Sequence, residues 1–320
     1  MTTTAWLNWV APVSLLCIPA GAQTSAAEEL RALLSGTPRL SLEQVSLASA
    51  LPNAASLGIV SSVAAGKDGT IYVLQRGDNA DPVIAVDREG HVLRSWGKGM
   101  FTVPHSVRVD PDGSVWTVDA GSSVIMKFSP QGKKLQQIDV GEVAPAEKCA
   151  FPTLCGTTDI TFAPNGRLFI SDGYGNARIL EYTSDGKRVK VWGSSGTGPG
   201  QFQIPHGIAN DGQTLYVADR TNARIQRFDL EGRYLGEWTH LGRPFALKIN
   251  GGVLWVAGMT LDARATPWIL KVDPANGKLL GQIESPGPHS VDVSDAQEVF
   301  ANGCCGGSNP KGFFALRRLR

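Results

Sequence analysis

The sequence has 320 residues, of which 18% are charged and 42% are hydrophobic, and its formal net charge is +1. This near-neutral balance excludes the strongly basic surface that binding to nucleic acid or to an anionic membrane requires. The length allows about one to three domains, and repetitive β folds of this size often form a single domain.

Residues 1–22 are predicted to form a secretory signal peptide. They contain an apolar run and end in the small-residue motif AGA at 20–22, although no Lys or Arg precedes the run. One asparagine and two prolines interrupt the run, which disfavours a membrane-spanning helix. The protein is therefore expected to be secreted or periplasmic. Residues 23–56 follow as a lead-in segment whose polar first part is a candidate helix.

From residue 57 to residue 320 the chain repeats one unit, two copies of which begin FTVPHSVRVDPDGSVWTVDAG at Phe101 and FQIPHGIANDGQTLYVADRTN at Phe202. Each unit alternates short strands with Gly turns, and its second strand ends in Asp in three of the copies. Four strands in roughly 40–45 residues are typical of a propeller blade. Six units fit, which predicts an all-β, six-bladed β-propeller. The segment LSLEQVSLAS within 23–56 is a candidate strand that closes the ring, because an open ring would expose strand edges.

Three of the five histidines follow a proline at one position of the repeat, in the first strand of alternate blades: His105, His206 and His289. The other three blades carry other residues at this position: Ser61, Thr158 and Phe245. First strands line the channel of a propeller, and alternate blades of a six-fold ring are related by a pseudo-three-fold axis. The three imidazoles are therefore expected to converge on that axis.

Three imidazoles with an open fourth position favour a catalytic type of Zn²⁺ site, with nitrogens roughly 3–4 Å apart. The alternative is that the Pro-His pair is a packing feature of the repeat, but such a feature would not skip every second blade. His91 and His240 lie outside the pattern and are expected on the surface.

Four cysteines remain after the predicted signal peptide, and export would permit disulfides. Cys149 and Cys155 bracket a short segment that one disulfide could close. Cys304 and Cys305 are adjacent and could form a strained vicinal disulfide, remain free or pair with the first two. The sequence leaves this pairing open.

Five stretches identify a family resemblance: YVLQRGD, FTVPHSV, FISDGYGNARI, GQFQIPHGI and YVADRTNARIQRF. They resemble NHL repeats and, together with the alternating Pro-His pairs, the peptidyl-α-hydroxyglycine α-amidating lyase (peptidylamidoglycolate lyase) family. The resemblance covers roughly residues 57–300. It implies a six-bladed propeller and a carbon–nitrogen lyase that cleaves a peptidyl-α-hydroxyglycine to a peptide amide and glyoxylate. It also implies a Zn²⁺ ion held by His105, His206 and His289.

The resemblance further implies three catalytic residues. Tyr174 in SDGYGN matches a tyrosine that acts on the substrate hydroxyl, and Arg76 and Arg220 match two arginines that flank the substrate. The repeat itself places both arginines at one position in opposite blades, where a guanidinium pair could hold a carboxylate across the channel mouth. Solvent-facing loop positions or salt bridges between blades are the alternatives.

The sequence departs from the family pattern at several positions. Ser290 stands where the family has an aspartate that helps bind a structural Ca²⁺, which disfavours calcium here. Gly287 replaces a methionine before the last Pro-His, and Gly175 stands where the partner of the cysteine matched by Cys155 would lie. Animal members are fused to or paired with a copper monooxygenase that makes their substrate, so a partner monooxygenase on a separate chain is one expectation.

Two other functions fit the same fold. NHL-type propellers also bind proteins or glycans without catalysis, since a fold alone does not decide function. A metal-dependent hydrolase of lactonase type would attack an ester with metal-bound water, but such propellers generally use acidic and amide ligands for calcium. The expected ligand is a small molecule or a peptide.

Overall fold

The computed structural model describes residues 20–51, 56–141, 143–150, 153–261, 267–285, 289–303 and 312–318. The described chain begins with a helix, α1 (Ala20–Gly36), and a strand, β1 (Leu42–Ser46). Most of the predicted signal peptide therefore lies outside the described residues, and residues 20–22 belong to α1. No helix in these described ranges combines the length and the apolar character that a membrane span needs.

Six four-stranded antiparallel sheets follow one another around a central channel, which confirms the predicted six-bladed β-propeller. Within each blade the first strand lies nearest the channel. The strands of blades 1 to 3 are β2 (Val60–Ala65), β3 (Ile71–Gln75), β4 (Val83–Val86), β5 (Val92–Trp96); β6 (Pro104–Val109), β7 (Val115–Asp119), β8 (Val124–Phe128), β9 (Lys134–Asp139); and β10 (Asp159–Phe162), β11 (Arg167–Asp172), β12 (Arg178–Thr183), β13 (Arg188–Trp192).

The remaining blades repeat this order, and a short parallel pair, β14 (Ser194–Ser195) and β15 (Gln201–Phe202), precedes blade 4. Among the described residues, 3₁₀ turns lie outside the blades at Ala48–Ala50 and Ala146–Lys148. The strands of blades 4 to 6 are β16 (Pro205–Asn210), β17 (Thr214–Asp219), β18 (Arg224–Asp229), β19 (Tyr234–Trp238); β20 (Arg243–Asn250), β21 (Val253–Met259), β22 (Pro267–Val272), β23 (Leu279–Glu284); and β24 (Val291–Val293), β25 (Val299–Asn302), β26 (Phe313–Arg318).

The sixth blade contains strands from both ends of the propeller. Its strand order is β24, β25, β26 and then β1, with Leu42 opposite Arg318 and Ser46 opposite Phe314. The segment expected to supply a ring-closing strand thus forms the outer strand of this sheet. The pairing covers the edge that β26 would otherwise expose.

The core lies between neighbouring blades, because each sheet is apolar on both faces. For example, Trp116 and Val118 of β7 pack against Ile160 and Ile170 of blade 3, and all four are at most 1% exposed. Helix α1 covers part of the outside. Its Leu30 is fully buried in the cluster shared by blades 4 and 5. Burial of such side chains contributes roughly 1.5–3 kcal/mol each.

Candidate metal centre and active site

Three histidines meet in the channel. His105 and His206 are the second residues of β6 and β16, and His289 lies two residues before β24. All three are 2–3% exposed, and their ring centroids are 4.8–4.9 Å apart. One ring nitrogen from each histidine lies within 4.8 Å of the corresponding nitrogens of the other two. This limit is somewhat larger than the roughly 3–4 Å expected between nitrogens that share a tetrahedral ion. These buried, adjacent imidazoles could bind a metal ion.

Each imidazole donates a hydrogen bond to the next blade. The Nδ1 atom of His105 lies 2.6 Å from the Thr158 carbonyl oxygen, and the same contact joins His206 to Phe245 at 2.7 Å. His289 completes the set with its Nδ1 2.7 Å from the Ser61 carbonyl oxygen. A carbonyl only accepts, so Nδ1 carries the proton and Nε2 carries a free lone pair directed away from the strand.

The acceptors are the residues that replace histidine in the other three blades. The sequence repeat aligns these positions with the histidines but does not indicate a role for them. The imidazoles are oriented by the backbone oxygens of these residues and not by their side chains. The three residue types can therefore differ. A carbonyl partner on the second ring nitrogen is a common feature of histidines that bind metals, because it fixes the tautomer and raises the basicity of the ligand nitrogen.

The hydroxyl of Tyr174 lies between two of the Nε2 atoms, 2.9 Å from that of His105 and 3.0 Å from that of His206. One hydroxyl proton cannot serve two lone pairs, so at least one buried Nε2 atom has no proton to accept from it. Nitrogen donors with this excess of lone pairs suit an electrophile such as Zn²⁺. The residues present therefore fit a bound metal ion.

The surroundings keep all three imidazoles neutral. Burial lowers the pKa of His105 and of His206 well below the usual 6.5, and the neighbouring histidines and Arg220 lower it further. Burial and the positive charge of Arg76 lower the pKa of His289 to about 3. Neutral imidazole is the form that coordinates metals, so the site is ready to bind an ion at neutral pH.

These shifts predict an acid sensitivity of the metal-free protein. Between pH 6.5 and about 3 the unfolded chain takes up a proton at His289 and the folded chain does not, so stability falls as the pH falls. A lowering of this size corresponds to on the order of 5 kcal/mol. Denaturant unfolding of the EDTA-treated protein across this pH range measures the slope. His289→Gln should reduce the slope, whereas His240→Gln, outside the cluster, should leave it unchanged.

Tyr174 is held in place by its backbone. It follows β11 in the loop after Asp172 and is only 2% exposed. Its N–H donates to the Gly156 carbonyl at 3.1 Å, and its carbonyl accepts the Ala150 N–H at 2.7 Å. A Cβ atom at Gly173 would lie 2.0 Å from the Pro205 carbonyl oxygen, so only glycine lets this loop approach the strand that carries His206.

The insertion between blades 2 and 3 supports this loop. Cys149 and Cys155 form a disulfide, one of the pairings that the sequence left open. A Cβ atom at Gly175 would lie 2.1 Å from the Ala144 side chain and 2.8 Å from the Cys155 carbonyl oxygen. The disulfide-closed segment therefore packs closely on the Tyr174 loop. Cys304 and Cys305 lie outside the described residues, as does Gly287.

Arg76 and Arg220 flank the tyrosine. Arg76 donates from Nε to the Pro104 carbonyl at 2.9 Å, and the Arg220 guanidinium stacks 4.4 Å from the centre of the Phe245 ring. Burial lowers the pKa of both arginines, and the nearby Tyr174 opposes this. Burial also raises the pKa of Tyr174, whereas the charges of Arg220 and Arg76 lower it. Burial has the larger effect, so the pKa of Tyr174 lies above its usual value and its hydroxyl keeps its proton in the metal-free site.

Neither arginine forms an ion pair with any of the described residues. Asp119, the acidic group nearest Arg76, accepts instead from four backbone N–H groups of its own blade. The Nη2 atom of Arg76 is buried and has no acceptor within the part of the chain that the structure describes. Two cations that lack a carboxylate partner beside the histidines form an anion-binding environment.

A third arginine, which the sequence pattern did not indicate, lies at this end of the channel. Arg243 begins β20, the strand that carries Phe245, and its Nε atom is buried without an acceptor among the described residues. Burial and the charge of Arg220 lower its pKa. Arg243 has no counterpart in the other blades, so the repeat gave no signal for it.

Ser290, at the position of the family's calcium-binding aspartate, is bonded within the protein. Its hydroxyl donates to Asn302 Oδ1 at 2.9 Å and accepts the Val63 N–H at 3.0 Å. The two other histidines lie outside the channel cluster. His91 is exposed beside Asp87, and His240 contacts the Gly277 carbonyl.

Comparison with known proteins supports the fold and points to a group of relatives. A family model described as a 6-bladed beta-propeller matches residues 154–243. The "probable peptidyl-alpha-hydroxyglycine alpha-amidating lyase" of Caenorhabditis elegans is 29% identical over 215 residues, which are 62% of this chain and 60% of that protein. "NHL repeat-containing protein 3" of Mus musculus is 32% identical over 215 residues, 61% and 60% of the two chains. The chain is a six-bladed β-propeller with NHL-type homologues.

The coverage of these relatives is partial. The propeller also matches peptidyl-glycine alpha-amidating monooxygenase of Mus musculus at 28% identity, over 69% of this chain but 25% of that protein. The chain therefore spans less than two thirds of the relatives it matches. A gluconolactonase structure from Xanthomonas campestris aligns with a TM-score of 0.59, covering 87% of this chain and 90% of the other at 17% identity, which shows a common fold alone.

Proposed function

We propose that this propeller is a Zn²⁺-dependent lyase that cleaves a peptidyl-α-hydroxyglycine or a similar α-hydroxyglycine into an amide and glyoxylate. The observation that carries the proposal is the placement of one buried hydroxyl, that of Tyr174, against two metal-competent Nε2 atoms. Arg76 and Arg220 lie beside it and form no ion pair with the described residues. Its homologues named amidating lyases support the same reaction class.

The histidines and Tyr174 have different roles in the proposed reaction. A Zn²⁺ ion held by the Nε2 atoms of His105, His206 and His289 would supply a Lewis acid for the substrate hydroxyl. Once Tyr174 has lost its own proton, which burial opposes and the charges of Arg220 and Arg76 ease, it would take the proton from that hydroxyl. The C–N bond then breaks as the C=O bond of glyoxylate forms, and the proton passes to the departing amide nitrogen. No proton is gained or lost overall.

The arginines bind the carboxylate of the hydroxyglycine. Both guanidinium groups are desolvated, so a carboxylate that replaces lost water regains charge-assisted hydrogen bonds. Because the arginines lie beside the tyrosine, this contact would place the substrate hydroxyl near Tyr174. We also propose that the protein is exported, on the basis of the signal-peptide pattern at residues 1–22 and of the Cys149–Cys155 disulfide.

Metal analysis of the purified protein, combined with glyoxylate release from α-hydroxyhippurate, tests the proposal. We expect one Zn²⁺ per chain and activity that EDTA removes and Zn²⁺ restores. Bound metal without glyoxylate release from any α-hydroxyglycine would leave a metal site but overturn the lyase, in favour of a binding propeller or a hydrolase. A protein that binds no divalent metal would overturn both.

Arg76→Ala tests carboxylate binding. Loss of one charge-assisted hydrogen bond should lower kcat/KM for α-hydroxyhippurate by about 10–100-fold. The methyl ester of the same compound lacks the charge, so its kcat/KM should change little. The control is Arg233→Ala, which replaces an exposed arginine in the turn between β18 and β19. It should leave kcat/KM unchanged for both compounds. If kcat/KM fell equally for the acid and for the ester, Arg76 would not bind the carboxylate.

A further inference from the structure

Below the histidines, an ion pair lies across the channel. Arg108 of blade 2 and Asp159 of blade 3 are 6% and 3% exposed. The guanidinium contacts both carboxylate oxygens, Nε to Oδ1 at 2.9 Å and Nη2 to Oδ2 at 2.5 Å. A cavity of about 10 Å³ lies between this pair and the histidines, and a cavity of about 210 Å³ lies on the other side of Arg108. The pair is therefore the floor of the histidine site.

The Arg108–Asp159 pair also connects the strands on which the histidine site is built. Arg108 donates from Nη1 to the Val291 carbonyl at 3.3 Å and from Nη2 to the Leu247 carbonyl at 3.2 Å. Val291 lies two residues after His289, and Leu247 lies two residues after Phe245, the carbonyl partner of His206. Arg108 thus connects its own blade to blades 5 and 6.

Asp159 makes the remaining connections. Its Oδ1 accepts the Ser106 hydroxyl at 2.6 Å, and its Oδ2 accepts the Ile208 N–H at 3.2 Å. Ser106 follows His105 directly, and Ile208 lies two residues after His206. Asp159 itself follows Thr158, whose carbonyl accepts from His105. Between them, the two side chains contact the innermost strand of every histidine-bearing blade.

Stability alone does not explain such a pair. The desolvation of two buried charges can exceed their attraction, and apolar residues of similar volume often stabilise a protein equally well. What a bidentate pair adds is a fixed geometry. Outer partners of metal ligands typically change metal affinity by about 10–100-fold when they are removed.

We propose that Arg108 and Asp159 are positioning residues of the metal site: by closing the channel floor and tying together the three histidine-bearing strands, they set the affinity and the coordination geometry of the bound ion. This inference rests on the metal site of the proposed function. It does not depend on which substrate the site acts on.

Cobalt binding to the full chain tests it. Co²⁺ is added to the metal-free protein, the dissociation constant is measured by competition with a chelator, and the visible d–d absorption reports the coordination geometry. The variant Arg108→Met/Asp159→Asn removes both charges but keeps an acceptor for Ile208, so it should fold. We expect the dissociation constant for Co²⁺ to rise about 10-fold and the d–d spectrum to change.

The matched control is Arg167→Met/Glu181→Gln, which removes another ion pair, with a buried carboxylate, from blade 3 outside the channel. It should leave the cobalt affinity and spectrum unchanged even where its melting temperature falls. Unchanged cobalt binding in the channel variant, or an equal change in both variants, would overturn the positioning role while leaving the metal site intact. Absence of Co²⁺ binding to the unmodified protein would overturn the positioning role and the proposed function together.

Discussion

Replacing Tyr174 with phenylalanine should lower kcat for glyoxylate release by about 10²–10⁴-fold, the usual contribution of a general base. The variant loses only the hydroxyl that lies 2.9 and 3.0 Å from the two imidazoles. The ring still fills its buried position, and the backbone bonds that hold the loop remain. Zinc content and thermal stability should therefore stay close to those of the unmodified protein, which metal analysis and a melting curve would check.

Tyr216→Phe provides the matched control for this experiment. Tyr216 is 1% exposed, and its hydroxyl bonds to Asp211 and to the Pro274 carbonyl, which lie in the turns between β16 and β17 and between β22 and β23. Its loss should reduce stability but leave kcat unchanged. If Tyr174→Phe kept full turnover, Tyr174 would not be the base. If it lost its metal, Tyr174 would be needed for the site itself rather than for proton transfer.

His206→Ala should lose both metal and activity. It removes one of three nitrogen donors, the imidazole that donates to the Phe245 carbonyl and one of the two imidazoles beside the Tyr174 hydroxyl. The affinity for Zn²⁺ should fall by more than the roughly 10–100-fold that removal of an outer partner costs, because a ligand itself is lost. Added Zn²⁺ should restore little activity. Zinc titration against a chelator and the glyoxylate assay measure the two effects.

His240→Ala is the control, since His240 lies outside the cluster and contacts the Gly277 carbonyl. It should bind one Zn²⁺ with unchanged affinity and retain its activity. Stoichiometric, tight zinc in His206→Ala would mean that the ion is held elsewhere. That outcome would separate the channel histidines from any metal the protein carries.

The repeat made much of this architecture predictable from sequence. Strand register in a propeller sets which residues face the channel, so the alternation of Pro-His pairs was enough to place His105, His206 and His289 together. Tyr174 was harder, because it lies in a loop and its burial depends on contacts with the segment around Cys155, which belongs to no repeat. Its assignment came from the family resemblance rather than from the repeat.

Other features carried no sequence signal. Arg108 and Asp159 are neighbours only because blades 2 and 3 are adjacent, and charged residues on inner strands could equally have faced either mouth of the channel. Arg243 likewise occurs in a single blade. Backbone acceptors such as the Thr158 oxygen cannot be recognised from side-chain identity at all. Local pattern therefore predicts the ring and its three channel histidines, whereas the network that orients them depends on tertiary contacts.

The hydrogen bonds from histidine to the next blade make a pair of blades, rather than a single blade, the functional unit of this protein. Blades 2 and 3, 4 and 5, and 6 and 1 each supply one imidazole and one carbonyl. Only a ring with an even number of blades can alternate donors and acceptors around its whole circumference. Gain or loss of a single blade would place two like blades side by side and break the three-fold arrangement. Propellers that keep three alternating imidazoles on one axis should therefore keep six blades.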